Sequence, residues 1–282
     1  MIGFVNFILA QRFFALQRKA LSIRDILSMI DFIQETIDKV FNFNLVLALR
    51  HAVNLVIIDG LCLGIDVSGD KQKNDILTMC NEFLANLERC LFNYGDDKIE
   101  NMDYIETNDV IGVSPFVLGK NSLQASSSNY AFDAHTTKIN LLKLLRAYQL
   151  NKPILIEGPP GVGKTSLVEN LAKVTGRKLI RVNLSEQTDM MDLLGSEYPV
   201  STSHSETKKA DDDEDDIRFH WCDGVLLQAI KEGHWFLIDE MNLAQQSVLE
   251  GLNAILDHRR TVYIPELNIE FKCHPNFFVF AC

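Results

Sequence analysis

Cationic surface is what this sequence has least of. Its 282 residues hold 27 Lys and Arg against 38 Asp and Glu, a formal net charge of −11. A surface that neutralises nucleic-acid phosphates needs basic stripes, and none is present, so no direct nucleic-acid contact is expected. The six cysteines (Cys62, Cys80, Cys90, Cys222, Cys273, Cys282) form no C-x-x-C pair and no metal-ligand spacing with His. They read as reduced packing residues of a cytosolic or nuclear protein. Long uninterrupted apolar runs are missing too. The run from Leu45 to Ile65 carries Arg50 and His51 near its middle and is broken by Asp59-Gly60, which suits a buried helix better than a membrane span. The first ten residues are apolar but have neither the basic start nor the small-residue cleavage site of a signal peptide. No membrane partner is expected.

What is abundant is apolar content, 47% of the chain. That suffices for one large or two modest globular domains, and two is the reading here. Residues 12–105 read as a small helical domain without strand signals. Ser22-x-x-Asp25 resembles a capping box, after which Ile23, Ile26, Leu27, Ile30, Ile33 and Ile37 recur at helical spacing as one apolar stripe. A second helix is expected over Leu45 to Ile58, and a third stripe runs through Ile76, Cys80, Phe83, Leu84, Leu87 and Leu91. Residues 106–129 are rich in turn formers, including Asn108-Asp109, Gly112, Ser114-Pro115 and Ser126-Ser-Ser-Asn129, and read as a linker. A helix capped by Thr136 or Thr137 should follow.

The remainder is organised around Pro153-Ile-Leu-Ile-Glu-Gly158-Pro159-Pro160-Gly161-Val162-Gly163-Lys164-Thr165-Ser166. An apolar strand runs into a glycine-rich turn and then a helix. This is the G-x-x-x-x-G-K-[ST] cradle, spanning Gly158 to Ser166, whose glycines let backbone N–H groups and a helix N-terminus converge on a triphosphate. Lys164 would reach the β/γ-phosphates, and the Thr165 hydroxyl would ligate Mg²⁺. A second apolar strand ends in acids at His234-Trp-Phe-Leu-Ile-Asp239-Glu240. Acids at the carboxyl end of such a strand sit in the ligand crevice of an open α/β sheet, so Asp239 would share the Mg²⁺ and Glu240 would polarise the attacking water. Strands are also expected at Lys178 to Asn183 and Asn276 to Cys282, and a hairpin over Thr261–Ile264 and Ile269–Lys272. Alternation of strands with helices gives a parallel, doubly wound sheet. Residues 199–217, with six consecutive acids from Asp211 to Asp216, read as an acidic surface insertion, whose alternative is a partner-binding insert.

Residues 130–282 resemble the large subdomain of AAA+ ATPases of the dynein-related, MoxR-like branch. The wording that carries this is Gly158-Pro-Pro-Gly-Val-Gly-Lys-Thr, Asn183-Leu-Ser-Glu-Gln-Thr-Asp189, the Asp239-Glu240 strand and Ser247-Val-Leu-Glu-Gly-Leu-Asn-Ala254. The last two wordings outside the P-loop and acid pair are similar to the tandem modules of giant ring ATPases of large-ribosomal-subunit maturation. The resemblance implies a parallel AAA+ sheet truncated after its fourth strand, preceded by the all-α lid of another module. It also implies ATP and Mg²⁺ as cofactors, with Lys164 and Glu240 as catalytic groups. Neighbouring AAA+ modules in a ring and pre-large-subunit particle proteins would be the partners, in the nucleus (nucleolus and nucleoplasm). Arg24 reads either as a solvated Arg beside Asp25 and Asp31 or, by the resemblance, as a sensor-2 residue serving a nucleotide bound upstream. The sequence stops before a sensor-1 residue, an arginine finger and the module's own lid. A missing arginine finger alone costs roughly 10³ to 10⁵ in rate, so slow hydrolysis by the isolated chain is expected. Two further readings stay open: a nucleotide-binding scaffold without turnover, and a different dynein-related or MoxR-like chaperone.

Overall fold

A computed structural model of the chain describes residues 22–40, 45–59, 78, 81–82, 84–86, 102–121, 124–200 and 218–282. The acidic run Asp211 to Asp216, Gly60 and most of the third helical stripe lie outside the described residues. The chain divides into two compact units, one of residues 1–151 with 173–176 and one of residues 152–172 with 177–282.

In the first unit, helix α1 (Ile23–Ile37) starts at the expected capping box. The Ser22 amide donates to Asp25 Oδ2 at 2.8 Å and the Asp25 amide returns to Ser22 Oγ at 3.3 Å, satisfying two donors that the first turn would otherwise leave unpaired. The buried face is not the expected stripe. Met29, Phe32 and Thr36 are inside, whereas Ile23 is 77% and Leu27 53% exposed. Apolar residues lie on both faces of this helix, so periodicity alone does not choose between them, and the Thr36 hydroxyl is made burial-compatible by donating to Phe32 O at 2.6 Å. Arg24 is exposed. Helix α2 (Leu45–Val53) continues as a π-helical turn, Asn54–Ile58.

Across the end of the expected helical domain and the expected linker runs a three-stranded antiparallel sheet of β1 (Tyr104–Glu106), β2 (Val110–Val113) and β3 (Phe116–Gly119). The turn formers are the hairpin connections of strands only three or four residues long. Ile111, Val113, Phe116 and Leu118 are buried. The Phe116 ring meets Phe32 edge-on at 6.0 Å and His51 at 4.8 Å. Helix α3 (His135–Tyr148) also belongs to this unit, and Ala134 stands at its N-cap with no side-chain cap, in place of the expected Thr136 or Thr137.

The second unit holds a four-stranded parallel sheet of β4 (Ile154–Leu155), β5 (Leu179–Asn183), β8 (Trp235–Asp239) and β11 (Phe278–Ala281), in the order β4-β11-β8-β5. Counted by their order in the chain, these four strands run 1-4-3-2. Between them come α4 (Lys164–Thr175), α5 (Met190–Leu194), α6 (Val225–Glu232) and α7 (Gln246–Leu256). Every residue of β8 is buried, as a central parallel strand covered on both faces requires. Alternate residues Phe236 and Ile238, with Val279 and Ala281, join Leu226, Leu227 and Ile230 of α6 and Val248, Leu252 and Ile255 of α7 in one core. The opposite face carries Trp235 and Leu237, and Trp235 packs on Phe280 at 4.9 Å. The expected hairpin is present as β9 (Thr261–Ile264) and β10 (Ile269–Lys272). An unforeseen antiparallel pair, β6 (Gly195–Val200) with β7 (Arg218–Asp223), flanks residues 201–217.

Candidate active site

Because β4, β11, β8 and β5 are parallel, their carboxyl ends share one edge, and the residues expected to carry chemistry gather there. The loop from Gly158 to Gly163 leaves β4 and turns into α4. Gly161 and Gly163 take φ of +80° and +85°, the left-handed region that a side chain resists. A Cβ on Gly161 would meet nothing within 4 Å, so the loop's rim is open rather than packed. Lys164 begins α4 and curls back over the loop, donating from Nζ to Gly158 O at 2.8 Å and Pro159 O at 3.1 Å. The next residue, Thr165, places Oγ1 3.4 Å from both Asp239 Oδ1 and Oδ2. Pro159, Pro160, Val162 and Ser166 are exposed along the same loop and first turn.

Asp239 ends β8 and is 8% exposed, held in the ladder by Leu184 N donating to its carbonyl at 3.0 Å. Glu240 follows with φ 55° and ψ 46°, a left-handed conformation uncommon for a glutamate. The turn is pinned from the neighbouring strand, because Cys282 N donates to Ile238 O at 2.8 Å and Met241 N donates to Cys282 O at 3.0 Å. This swings the exposed Glu240 out of the strand at the edge that holds the phosphate loop. Backbone strain held by surrounding hydrogen bonds is characteristic of working positions.

The structure adds three residues that sequence reading did not select. Arg181, on β5, donates from one guanidinium nitrogen to Asp239 Oδ2 at 2.5 Å and from the other to Glu169 Oε1 of α4 at 3.1 Å. The hydrogen bond that Arg181 donates to the Asp239 carboxylate raises the Arg181 pKa further. Cys282 brings a half-buried thiol into contact with Thr165, and burial pushes its pKa up, helped by the nearby Asp239 charge. Only spatial neighbourhood identifies these groups, since Arg181 is 58 residues from Asp239 and 12 from Glu169.

The donor set suits a nucleotide with a hard divalent cation. A hydroxyl and a carboxylate stand together, both oxygen ligands of the kind Mg²⁺ takes, beside a glycine loop and the start of a twelve-residue helix. Residues 153–281 match the family model of the AAA domain, dynein-related subfamily. The chain carries an AAA domain of that subfamily. Over its whole length it is similar to midasin of Dictyostelium discoideum, 37% identical over 310 aligned positions that cover 100% of this chain and 5% of that protein. Midasin of Giardia intestinalis is likewise 37% identical, over 93% of this chain and 5% of its own length. An uncharacterized protein of Staphylococcus epidermidis is 39% identical over 134 residues, 48% of this chain and 47% of that one. The chain therefore spans about a twentieth of the midasins it matches. The AAA domain begins where the second compact unit does, just before β4.

Proposed function

We propose that the AAA domain binds ATP with Mg²⁺ and hydrolyses it within a ring of neighbouring AAA+ modules, and that this ring remodels pre-large-subunit ribosomal particles in the nucleus before their export. One observation carries the nucleotide half of the reading: residues 74 positions apart, Thr165 and Asp239, meet at the edge where the glycine loop opens. The ribosomal half rests on the likeness of 93–100% of this chain to a twentieth of midasin.

In this reading the backbone N–H groups from Gly161 to Ser166 bind the phosphate oxygens, Pro159 and Pro160 having none to offer and shaping the loop instead. Lys164 exchanges its two carbonyl partners for the β/γ-phosphates, a stronger charge-assisted contact. Thr165 and Asp239 would hold the Mg²⁺, which when bound would supply charge neutralisation at the transferring phosphoryl group. Glu240 takes a proton from the attacking water, a contribution worth roughly 10²- to 10⁴-fold in rate. Turnover depends further on groups supplied by adjacent modules.

The test is to place Glu240→Gln in the chromosomal gene. ATP should still bind, hydrolysis should fall by roughly the 10²- to 10⁴-fold that a general base supplies, and pre-large-subunit particles should accumulate in the nucleolus. Normal particle export together with lost hydrolysis would remove the ribosomal role, and undiminished hydrolysis would remove Glu240 as the base.

A further inference from the structure

Asp239 is offered two cationic partners, and one is part of the chain. Its carboxylate accepts from Arg181 at 2.5 Å and lies 3.4 Å from the Thr165 hydroxyl, so the oxygen Oδ2 belongs to both contacts. The pairing is built into the sheet. Arg181 stands opposite Leu237 in the parallel register and Asn183 opposite Asp239, so Arg181, Leu237 and Asp239 project from the same face. That is the face on which α4 begins, and Glu169 from α4 holds the second arm of the guanidinium at 3.1 Å. A planar fork anchored at both ends is preorganised and loses little freedom in keeping its contact. With its side chain 48% exposed while that of Asp239 is 12% exposed, Arg181 also has room to leave.

We propose that Arg181 is the internal counter-ion of Asp239, which a divalent cation must displace, and that it thereby sets how much a given Mg²⁺ concentration tightens nucleotide binding. The inference rests on the nucleotide reading above and goes beyond it by naming the residue that tunes the cation requirement. Two cations cannot share one carboxylate oxygen at full strength, so energy held in the Arg181 contact is subtracted from the cation's affinity. A cation arriving alone meets this competition without compensation. One arriving with a nucleotide also gains phosphate oxygens as ligands, and Glu169 keeps the released guanidinium paired. Arg181 is therefore a positioning residue, acting through Asp239.

The experiment measures the apparent affinity of the full chain for a fluorescent ADP analogue in EDTA and at a fixed Mg²⁺ concentration too low to load the nucleotide-free chain, so that the ratio of the two dissociation constants reports the cation's affinity for the nucleotide-bound site. Arg181→Gln should raise this ratio about tenfold, the low end for a charge-assisted hydrogen bond because the arginine is half exposed. Arg181→Lys, which keeps the charge and loses the fork, should raise it less, and Asp239→Asn should bring it close to one. Thermal unfolding of each variant confirms that it is folded. An unchanged or lowered ratio in folded Arg181→Gln, with the ratio still collapsing in Asp239→Asn, would overturn the counter-ion while leaving the nucleotide site in place. Absence of saturable binding by the unaltered chain under both conditions would overturn the nucleotide reading and the counter-ion together.

Discussion

Thr165 Oγ1 lies equidistant, at 3.4 Å, from the two carboxylate oxygens of Asp239. Neither oxygen is favoured, which is the arrangement of two ligands facing a common site more than that of a committed hydrogen bond, since O–H to carboxylate bonds are shorter. Replacing Thr165 by Val keeps the shape and deletes the hydroxyl. Affinity for a nucleotide in Mg²⁺ should fall about tenfold, the worth of one such ligand, with little change in EDTA. Titration under the two conditions checks this, and an equal loss in both would mean that Thr165 serves the phosphates instead.

A second prediction concerns the first unit, where Arg146 is 5% exposed. It donates from Nε to His51 Nδ1 at 3.0 Å and from Nη1 to Asp59 Oδ2 at 2.7 Å, tying α3 to α2 and its π-helical turn. Arg146→Met should destabilise this unit by about 1–3 kcal/mol, because it removes the shorter of two ion pairs of the partly buried Asp59, which Lys143 also reaches at 3.4 Å, and the donor to a buried imidazole. Chemical denaturation would show a lower midpoint for this unit, whereas a change under about 0.5 kcal/mol would place the network among ordinary surface pairs.

Gly233 ends α6 with φ of +76°, and a Cβ there would lie 2.2 Å from His274 Nδ1. Gly233→Ala meets a left-handed penalty and a side chain that cannot give way freely, since the Asn276 amide donates to that same nitrogen. A loss of about 1–3 kcal/mol is expected, read as a lower melting temperature of the AAA domain. A melting temperature equal to that of the unaltered chain would show that the loop carrying His274 yields at no cost.

Much of the AAA domain was legible because its signals are local. The strand Trp235–Asp239 is apolar throughout and ends in acids, and the phosphate loop has fixed spacing between a strand and a helix. The signals that failed were non-local or degenerate. Helix α1 is apolar on both faces, so the stripe of Ile23, Leu27, Ile30 and Ile37 looked inward while Met29 and Phe32 are the buried residues. Strands of three or four residues joined by Asn108-Asp109 and Ser114-Pro115 are too short to show alternation, and residues 106–129 read as a linker. Tyr198 and His220 pair across β6 and β7 from opposite sides of an acidic insertion that hides the ladder. Arg181 lies within the expected strand Lys178 to Asn183, and only the register, which sets it opposite Leu237 on the face that Asp239 shares, shows that it can reach Asp239.

The cysteines offer a pH test. Burial comes first in raising the thiol pKa of both Cys282 and Cys273, whereas Cys222 is exposed. Only the thiolate is nucleophilic. Since the folded pKa lies above the unfolded value, the neutral thiol is favoured in the fold, and this stabilisation, present below the unfolded pKa, is lost as pH rises through the folded one. Alkylation by iodoacetamide at pH 8, followed by peptide mass mapping, should therefore label Cys222 well before Cys273 or Cys282. Labelling of the latter two should accelerate only as pH climbs beyond the ordinary thiol range of about 8.5. Equal rates at pH 8 would contradict the burial of these thiols.

The most direct test of the nucleotide site is titration of a fluorescent ATP analogue against the full chain in Mg²⁺, alongside Lys164→Ala. Lys164 donates to carbonyls of the loop itself, so its removal should leave the melting temperature nearly unchanged. Saturable binding by the unaltered chain, weakened at least about tenfold in Lys164→Ala as for a lost charge-assisted contact, is the predicted result. Equal affinity in the two proteins would contradict the account.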